Sequence, residues 1–202
     1  MSGIKKVDCR NLACPQPVIN TKKVLDSMDE GTVTVIVDND TAKENIMIFA
    51  KNAGYRSDVE KKGEDHQITI TKGNTGILKK EQDSYRAEKG RSIIYLITSN
   101  LLGQGPPDLG AVLMKSLMVT LTEMNPPPEA LLFLNSGVMM TCEGSPVLEQ
   151  LQTLFSRGAT LISCGTCLDY YKLKDKLKVG RVGNMLEING YLSGESKAIT
   201  IA

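Results

Sequence analysis

The sequence predicts an α/β protein with an N-terminal βαβαββ two-layer sandwich and a C-terminal doubly wound α/β/α domain whose sheet is mainly parallel. Its 202 residues exceed what one small domain needs. Runs rich in β-branched residues alternate with segments of helical apolar spacing in both halves. A polar, glycine-containing segment over 73–91 is typical of a linker. We therefore expect domains at 1–72 and 92–202.

In the N-terminal half, the first predicted helix begins with Pro15, whose missing N–H is harmless in a first turn. Gly31 ends that region before a strand of β-branched residues. His66 lies in the closing hairpin, where we expect an exposed side chain. The predicted strands cover 7–10, 32–38, 55–61 and 66–72, and the predicted helices cover 15–28 and 41–52.

In the C-terminal half, apolar strands are each followed by a loop with small or polar residues, over 99–108, 135–137 and 164–167. Sites in doubly wound sheets lie beyond the carboxyl ends of the strands, where these loops fall. Four lysines over 172–178 are interpreted as the solvated face of a helix. The predicted strands cover 92–98, 130–134, 159–163 and 198–201, and the predicted helices cover 108–121 and 145–157.

Composition excludes several classes of function. Net charge is +1, and with three Phe, six Tyr and no Trp there is little material for stacking on bases. No apolar stretch approaches the ~18 residues that span a bilayer, and residues 1–8 contain no apolar signal core. We therefore expect a cytoplasmic protein that binds neither nucleic acid nor membrane.

The sequence contains five cysteines, which are Cys9, Cys14, Cys142, Cys164 and Cys167. An odd number in a reducing compartment argues against a disulfide framework and favours catalytic, redox, metal-binding or buried thiols. The single histidine limits both general-base catalysis and metal ligation. We expect no cofactor and no metal, and we interpret Cys9 as structural.

Cys14 precedes the predicted proline-started helix. A thiol there is expected to face unpaired backbone N–H groups and the positive end of the helix dipole, which favours the nucleophilic thiolate. Pro17 stiffens the turn further. The alternative is a small buried apolar cysteine.

The stretch from Asp8 to Pro17, with Leu12 and the run Cys14-Pro15-Gln16-Pro17, resembles the signature of TusA-like (SirA-like) sulfur-carrier proteins. The resemblance covers about residues 4–72. It implies that Cys14 accepts a persulfide sulfur from a donor such as a cysteine desulfurase and passes it to an acceptor protein. Asn11 departs from the pattern, because many relatives have glycine there.

Cys164 and Cys167 form a Cys-x-x-Cys pair directly after a predicted strand, with Gly165 allowing a tight turn. Such a pair can close a disulfide, combine a carrier thiol with a resolving thiol, or bind a metal. Zinc needs about four ligands, and Cys142 would supply only a third. Two plainly buried thiols are the remaining alternative.

The C-terminal half resembles DsrE-like sulfur-relay proteins, which implies that Cys164 is the sulfur-carrying position and that the protein forms a homo-oligomer. The fusion of the two halves resembles the YedF group of selenium-metabolism proteins, although no residue separates selenium from sulfur. The candidate catalytic residues are Cys14, Cys164 and Cys167. The residues expected to support them are Asp8, Pro15, Pro17, Gly165 and Asn135.

The leading hypothesis is therefore a sulfurtransferase-like carrier that relays a cysteine-bound sulfur or selenium atom between a donor and an acceptor protein. A second hypothesis is a thiol–disulfide redox protein or sensor that uses Cys164 and Cys167. A third is an interaction or regulatory module without catalytic activity, whose cysteines are merely buried.

Overall fold

A computed structural model describes residues 5–73 and 92–202 of the chain. The chain divides into two compact units, one on each side of this gap. The predicted linker over 73–91 lies, apart from its first residue, outside the described residues. Each unit is described by itself.

The N-terminal unit has the predicted order βαβαββ. Its sheet has the strand order β1-β2-β4-β3, in which β1 is parallel to β2 while β4 is antiparallel to both β2 and β3. The elements are β1 (Lys5–Asp8), α1 (Gln16–Asp26), β2 (Gly31–Val37), α2 (Asp40–Asn52), β3 (Arg56–Lys62) and β4 (Asp65–Lys72).

One apolar layer joins the two helices to this sheet. Alternate residues of a strand share a face, so Val33, Val35 and Val37 of β2 all point into the same core. Leu25 of α1 and Ile46 of α2 are fully buried in that cluster. Both helices therefore pack on one side of the sheet, as a two-layer sandwich requires.

The C-terminal unit contains a five-stranded sheet with the order β8-β7-β6-β5-β9, and every pairing is parallel. 3-10 helices cover Asn135–Thr141 and Lys174–Lys176. The other elements are β5 (Ile93–Ile97), α3 (Pro107–Thr122), β6 (Ala130–Phe133), α4 (Leu148–Ser156), β7 (Thr160–Cys164), α5 (Gly165–Tyr170), β8 (Arg181–Gly183), α6 (Met185–Leu192) and β9 (Lys197–Ile201). The predicted fold class is confirmed.

The central strands explain why this sheet is stable. All four residues of β6 are fully buried, so both faces of the strand are covered. Met118 of α3 and Leu154 of α4 are buried in the same cluster. None of the helices in the two described stretches is long and apolar enough to cross a membrane.

Two sequence interpretations were wrong. His66 is only 8% exposed rather than solvated, because the two-residue repeat of β4 places it on the same face as the buried Ile68 and Ile70. Its Nε2 atom lies 3.2 Å from Oδ1 of Asp40. The lysine-rich stretch over 172–178 is exposed as expected, but it forms turns and a 3-10 helix rather than an α-helix.

Candidate functional site: two cysteine sites

The backbone before Cys14 is anchored by Cys9. The Cys9 N–H donates to the carbonyl of Ile36 at 2.8 Å, and its thiol approaches the carbonyl of Pro17 at 3.9 Å. Cys9 is 1% exposed, and this burial raises the pKa of its thiol. Cys9 is therefore a buried core residue of the N-terminal unit.

Cys14 itself is exposed. It lies at the end of a loop in which Asn11 adopts a left-handed conformation with a φ of 59°. The Asn11 N–H donates to Oδ2 of Asp38 at 2.7 Å. This hydrogen bond is the main reason why the pKa of Asp38 is lowered, with the Asn39 side chain contributing next. Asparagine is the residue that best replaces glycine in this conformation, so the departure at Asn11 preserves the turn.

The expected unpaired N–H groups are not found at the start of α1. The Gln16 N–H donates to the carbonyl of Ala13 at 3.0 Å, and the N–H groups of Val18 and Ile19 both donate to the Pro15 carbonyl at 3.1 Å. Pro15 and Pro17 have no N–H to offer. The helix starts at Gln16 with Pro15 as its N-cap, so this first turn satisfies its own donors.

A side chain of the second helix approaches Cys14 instead. Nδ2 of Asn45, on α2, lies 3.9 Å from the Cys14 sulfur. Sequence reasoning missed Asn45, because a polar residue in the middle of an amphipathic helix gives no signal for such a contact. An amide donor at this distance can stabilise negative charge that develops on sulfur.

Asp8 ends β1 and is held by Arg10. The Arg10 guanidinium donates to both carboxylate oxygens of Asp8, with the shortest contact at 2.6 Å, and it also reaches Asp65 at 3.1 Å. The Arg10 guanidinium, followed by the Arg10 backbone N–H that also donates to Asp8, lowers the pKa of Asp8 to about 2. Asp8 therefore fixes the strand exit from which the Cys14 loop departs.

In the C-terminal unit, Cys164 is the last residue of β7 and is 4% exposed. Burial, the largest single effect, raises the pKa of its thiol. The backbone N–H and thiol of Cys167, together with the backbone N–H and hydroxyl of Thr166, donate to the sulfur and lower its pKa below the ordinary value overall. Cys164 is therefore a shielded thiol with a preformed set of donors.

Cys167 has the opposite tendency. Burial, its contact with the Cys164 sulfur and the charge on Cys164 all raise its pKa. The backbone N–H of Asn135 donates to the Cys167 sulfur at 3.1 Å, and the Tyr171 hydroxyl donates to Oδ1 of Asn135 at 2.9 Å. The loop after β6 is thereby tied to the thiol pair.

Gly165 lets neighbouring segments approach this pair closely. A Cβ atom at this position would lie 3.0 Å from Cγ1 of Val182, on β8. Cys164 is aligned with Gly183 in the sheet, so β7 and β8 end side by side. Any larger residue than glycine would press on Val182 where α5 begins.

Cys142 does not join the thiol pair. It is 1% exposed, its thiol donates to the carbonyl of Val138 at 3.2 Å, and burial raises its pKa. Within residues 5–73 and 92–202, no group of three or more His, Cys, Asp or Glu side chains is placed to hold a metal ion. The thiol site therefore consists of two cysteines and their hydrogen-bond donors.

Comparison with known proteins identifies the N-terminal unit. The family model described as sulfurtransferase TusA matches residues 5–72. A protein of Methanocaldococcus jannaschii named "Putative sulfur carrier protein MJ0990" is 45% identical over 54 residues, which are 26% of this chain and 72% of that protein. The chain belongs to the TusA family. A similarly named protein of Bacillus subtilis, YrkI, is 30% identical over 56 residues, 27% of this chain and 75% of its own.

Two solved structures each resemble a part of the chain. The SirA-like protein of Desulfitobacterium hafniense is 37% identical, with a TM-score of 0.34, and covers 35% of this chain and 99% of its own. The YchN protein of E. coli is 15% identical, with a TM-score of 0.44, and covers 55% of this chain and 99% of its own. The family match and the two named carriers support a sulfur-carrier role for residues 5–72, called the TusA unit below.

The predicted site residues fall into two groups. Asp8, Cys14, Pro15 and Pro17 belong to the TusA unit, whereas Gly165 and Asn135 lie beside the Cys164–Cys167 pair in the other unit. Thr166 and Tyr171 were missed. The Cys-x-x-Cys motif itself contains Thr166, and Tyr171 lies four residues after Cys167, so motif and spacing offered a signal for both.

Proposed function

We propose that the TusA unit carries a terminal sulfur atom on Cys14 as a persulfide. The observation that carries the proposal is the exposure of this thiol on a unit that belongs to the TusA family. A protein donor such as a cysteine desulfurase supplies the sulfur, and a second protein or domain accepts it. Asn45, close to the Cys14 sulfur, contacts the group during transfer.

The loading step is a nucleophilic exchange. The Cys14 thiolate attacks the outer sulfur of the donor persulfide, so a bond forms between that sulfur and Cys14. The bond from the outer sulfur to the donor cysteine breaks, and the donor leaves as a thiolate. No net oxidation or reduction occurs, and no separate acid or base is required.

We further propose that residues 1–72 and 92–202 are domains joined by a linker over 73–91, and that Cys164 accepts the sulfur from Cys14. Such a tether would hold the two thiols at a high effective concentration. The donors that lower the pKa of Cys164 favour the attacking thiolate and support this direction of transfer.

Release follows from the second thiol. The Cys167 thiolate attacks the inner sulfur of the Cys164 persulfide, which forms the Cys164–Cys167 disulfide and expels the outer sulfur as hydrosulfide. The transferred sulfur gains two electrons, which the two cysteines lose. A dithiol reductant of the thioredoxin class then restores both thiols. Selenium follows the same steps. That the protein is cytoplasmic and forms a homo-oligomer remains a prediction from the sequence.

Mass spectrometry tests the proposal. After incubation with a cysteine desulfurase and cysteine, the wild type should gain about 32 mass units on Cys14, and reductant should remove them. Cys14→Ser should lose this adduct, whereas Cys164→Ser should retain it on Cys14. Selenocysteine in place of cysteine distinguishes selenium from sulfur transfer. An adduct that forms equally well in Cys14→Ser would refute the carrier role of Cys14.

A thiol–disulfide redox protein is the second candidate. The contact between the two sulfurs and their opposite pKa shifts, lowered for Cys164 and raised for Cys167, are typical of a dithiol that forms a disulfide. In that case, oxidation should remove two hydrogens from the pair, and no persulfide should form on Cys164 when loaded Cys14 is present.

A further inference from the structure

We propose that a pocket in the C-terminal unit binds a small molecule with an apolar body and an anionic group. The pocket has a volume of about 400 Å³, within the range of small-molecule sites. It lies between the loop after β5, helix α3 and the 3-10 helix Asn135–Thr141. These segments follow or precede the strands at the edge of the sheet where ligands of doubly wound folds bind.

The side chains that line the pocket are mostly apolar, which is why we expect an apolar ligand body. Three methionines line the pocket, and their flexible, polarisable side chains adapt to flat or irregular apolar shapes. Further apolar surface comes from neighbouring aliphatic side chains. The apolar lining includes Leu101, Met114, Met139, Met140, Val147 and Leu173.

Lys115 accounts for the anionic part. It shares a face of α3 with Ala111, four residues earlier, and both residues line the pocket. The other charged lining residue, Glu143, lies 3.6 Å from the Nζ atom of Lys178. Within residues 92–202, Lys115 has no carboxylate partner of its own, whereas Glu143 is paired with Lys178, so the Lys115 ammonium group is the one that can attract an anionic ligand group.

Tyr171 places this pocket next to the thiol pair. Its side chain lines the pocket, while its hydroxyl donates to Oδ1 of Asn135, whose N–H donates to the Cys167 sulfur. A ligand in the pocket would therefore contact a residue that is two hydrogen bonds away from Cys167. The pocket does not depend on sulfur transfer, and its test needs no transfer activity.

Two fluorescent probes with the same aromatic body test the proposal on the full chain. We expect 8-anilinonaphthalene-1-sulfonate, which is anionic, and the uncharged N-phenyl-1-naphthylamine to bind saturably with one site per chain and to compete. Lys115→Gln should weaken the anionic probe about threefold and leave the uncharged probe unchanged. Lys197→Gln, an exposed lysine on β9, is the matched control and should change neither.

Ala111→Trp should fill the pocket and abolish both signals, with thermal melting to show that the variant is folded. Leu186→Ser removes an exposed apolar side chain on α6, which is 84% exposed and does not line the pocket, and should change nothing. The proposal fails if the wild type shows no saturable binding, if folded Ala111→Trp binds as well as the wild type, or if Leu186→Ser abolishes binding. Equal effects of Lys115→Gln on both probes would refute the anionic group.

Discussion

The two thiol sites differ in the solvent exposure of the sulfur and in the hydrogen-bond donors that surround it. Cys14 is exposed, and the side-chain amide of Asn45 lies 3.9 Å from its sulfur. Cys164 is only 4% exposed, yet backbone and side-chain donors of Thr166 and Cys167 lower its pKa. The rate of thiol exchange depends on both access and thiolate fraction. The first site provides access, and the second provides stabilisation of negative charge.

The sheets explain this difference. Cys14 follows β1, an edge strand of its sheet, through a loop that leaves the core. Cys164 ends β7, which is paired on both sides by β6 and β8, so neighbouring strands and loops enclose its sulfur. An edge site suits collision with a large donor protein, and an enclosed pair suits an exchange between its own two thiols, Cys164 and Cys167.

The largest expected effect is a difference in alkylation rate between exposed and buried cysteines. With iodoacetamide at pH 7, Cys14 should react at least about a hundredfold faster than Cys9 and Cys142, which are buried and must wait for an opening of the fold. Burial also raises the pKa of both of those thiols. Peptide mass spectrometry at timed intervals measures each rate separately.

Denaturant supplies the control for this experiment. In urea the rates of all five cysteines should converge, because the fold no longer separates them. If Cys14 reacted as slowly as Cys9 in the folded protein, its sulfur would be shielded. The stated difference in access between Cys14 and Cys164 would then be wrong.

Thr166→Val should give the next largest effect. Burial opposes ionisation of Cys164, and the Thr166 hydroxyl is one of the donors that offset this burial. Removing the hydroxyl should raise the pKa of Cys164 and slow its alkylation near pH 7 several-fold, since a hydrogen bond to a charged group contributes about 1.5 kcal/mol. The pH dependence of Cys164 alkylation measures the change. Thr166→Ser keeps a hydroxyl and should resemble the wild type; an equal shift in both variants would implicate packing instead.

Much of the fold was predictable, because strands that are buried in the core leave runs of apolar or β-branched residues in the sequence. β2 is a run rich in β-branched residues and β6 is a continuous apolar segment, and both were predicted within a residue or two. β8 and α6 were not predicted. β8 has only three residues, of which Arg181 and Val182 are exposed, so no apolar run marks it.

The sites were predictable to a smaller extent. The cysteine motifs identify the reactive sulfurs, since Cys14 and the Cys164–Cys167 pair have recognisable spacings. Their surroundings depend on tertiary contacts that local sequence does not encode. Asn45 approaches Cys14 across 31 residues of chain, and Asn135 reaches Cys167 across 32. The paired N–H groups of α1 depend on how the Ala13–Gln16 turn closes, which local motifs do not specify.

Substitution of Asn11 should affect the Cys14 loop alone. Asn11→Ala should lower the free energy of unfolding by about 1 kcal/mol, because alanine lacks the short polar side chain that lets asparagine adopt a φ of 59° at low cost. Asn11→Gly should be close to neutral, as glycine adopts this conformation readily. Both variants keep the N–H that donates to Asp38. Urea unfolding measures the difference, and equal stability of the two variants would show that the loop is not constrained at this residue.

The smallest effect should come from the Asp8–Arg10 ion pair before the Cys14 loop. The pKa of Asp8 is lowered to about 2 in the folded protein, below about 3.9 in an unfolded chain. The stabilisation is therefore fully present above about pH 5 and is lost as the pH falls through this interval. The melting temperature of Asp8→Asn should lie slightly below that of the wild type from pH 5 to 7, and the difference should shrink as the pH falls and vanish below about pH 2. Added salt should also reduce it, because both side chains are exposed. Asp58→Asn, at an exposed carboxylate on β3, is the control, and a difference that grows in acid would contradict the assignment.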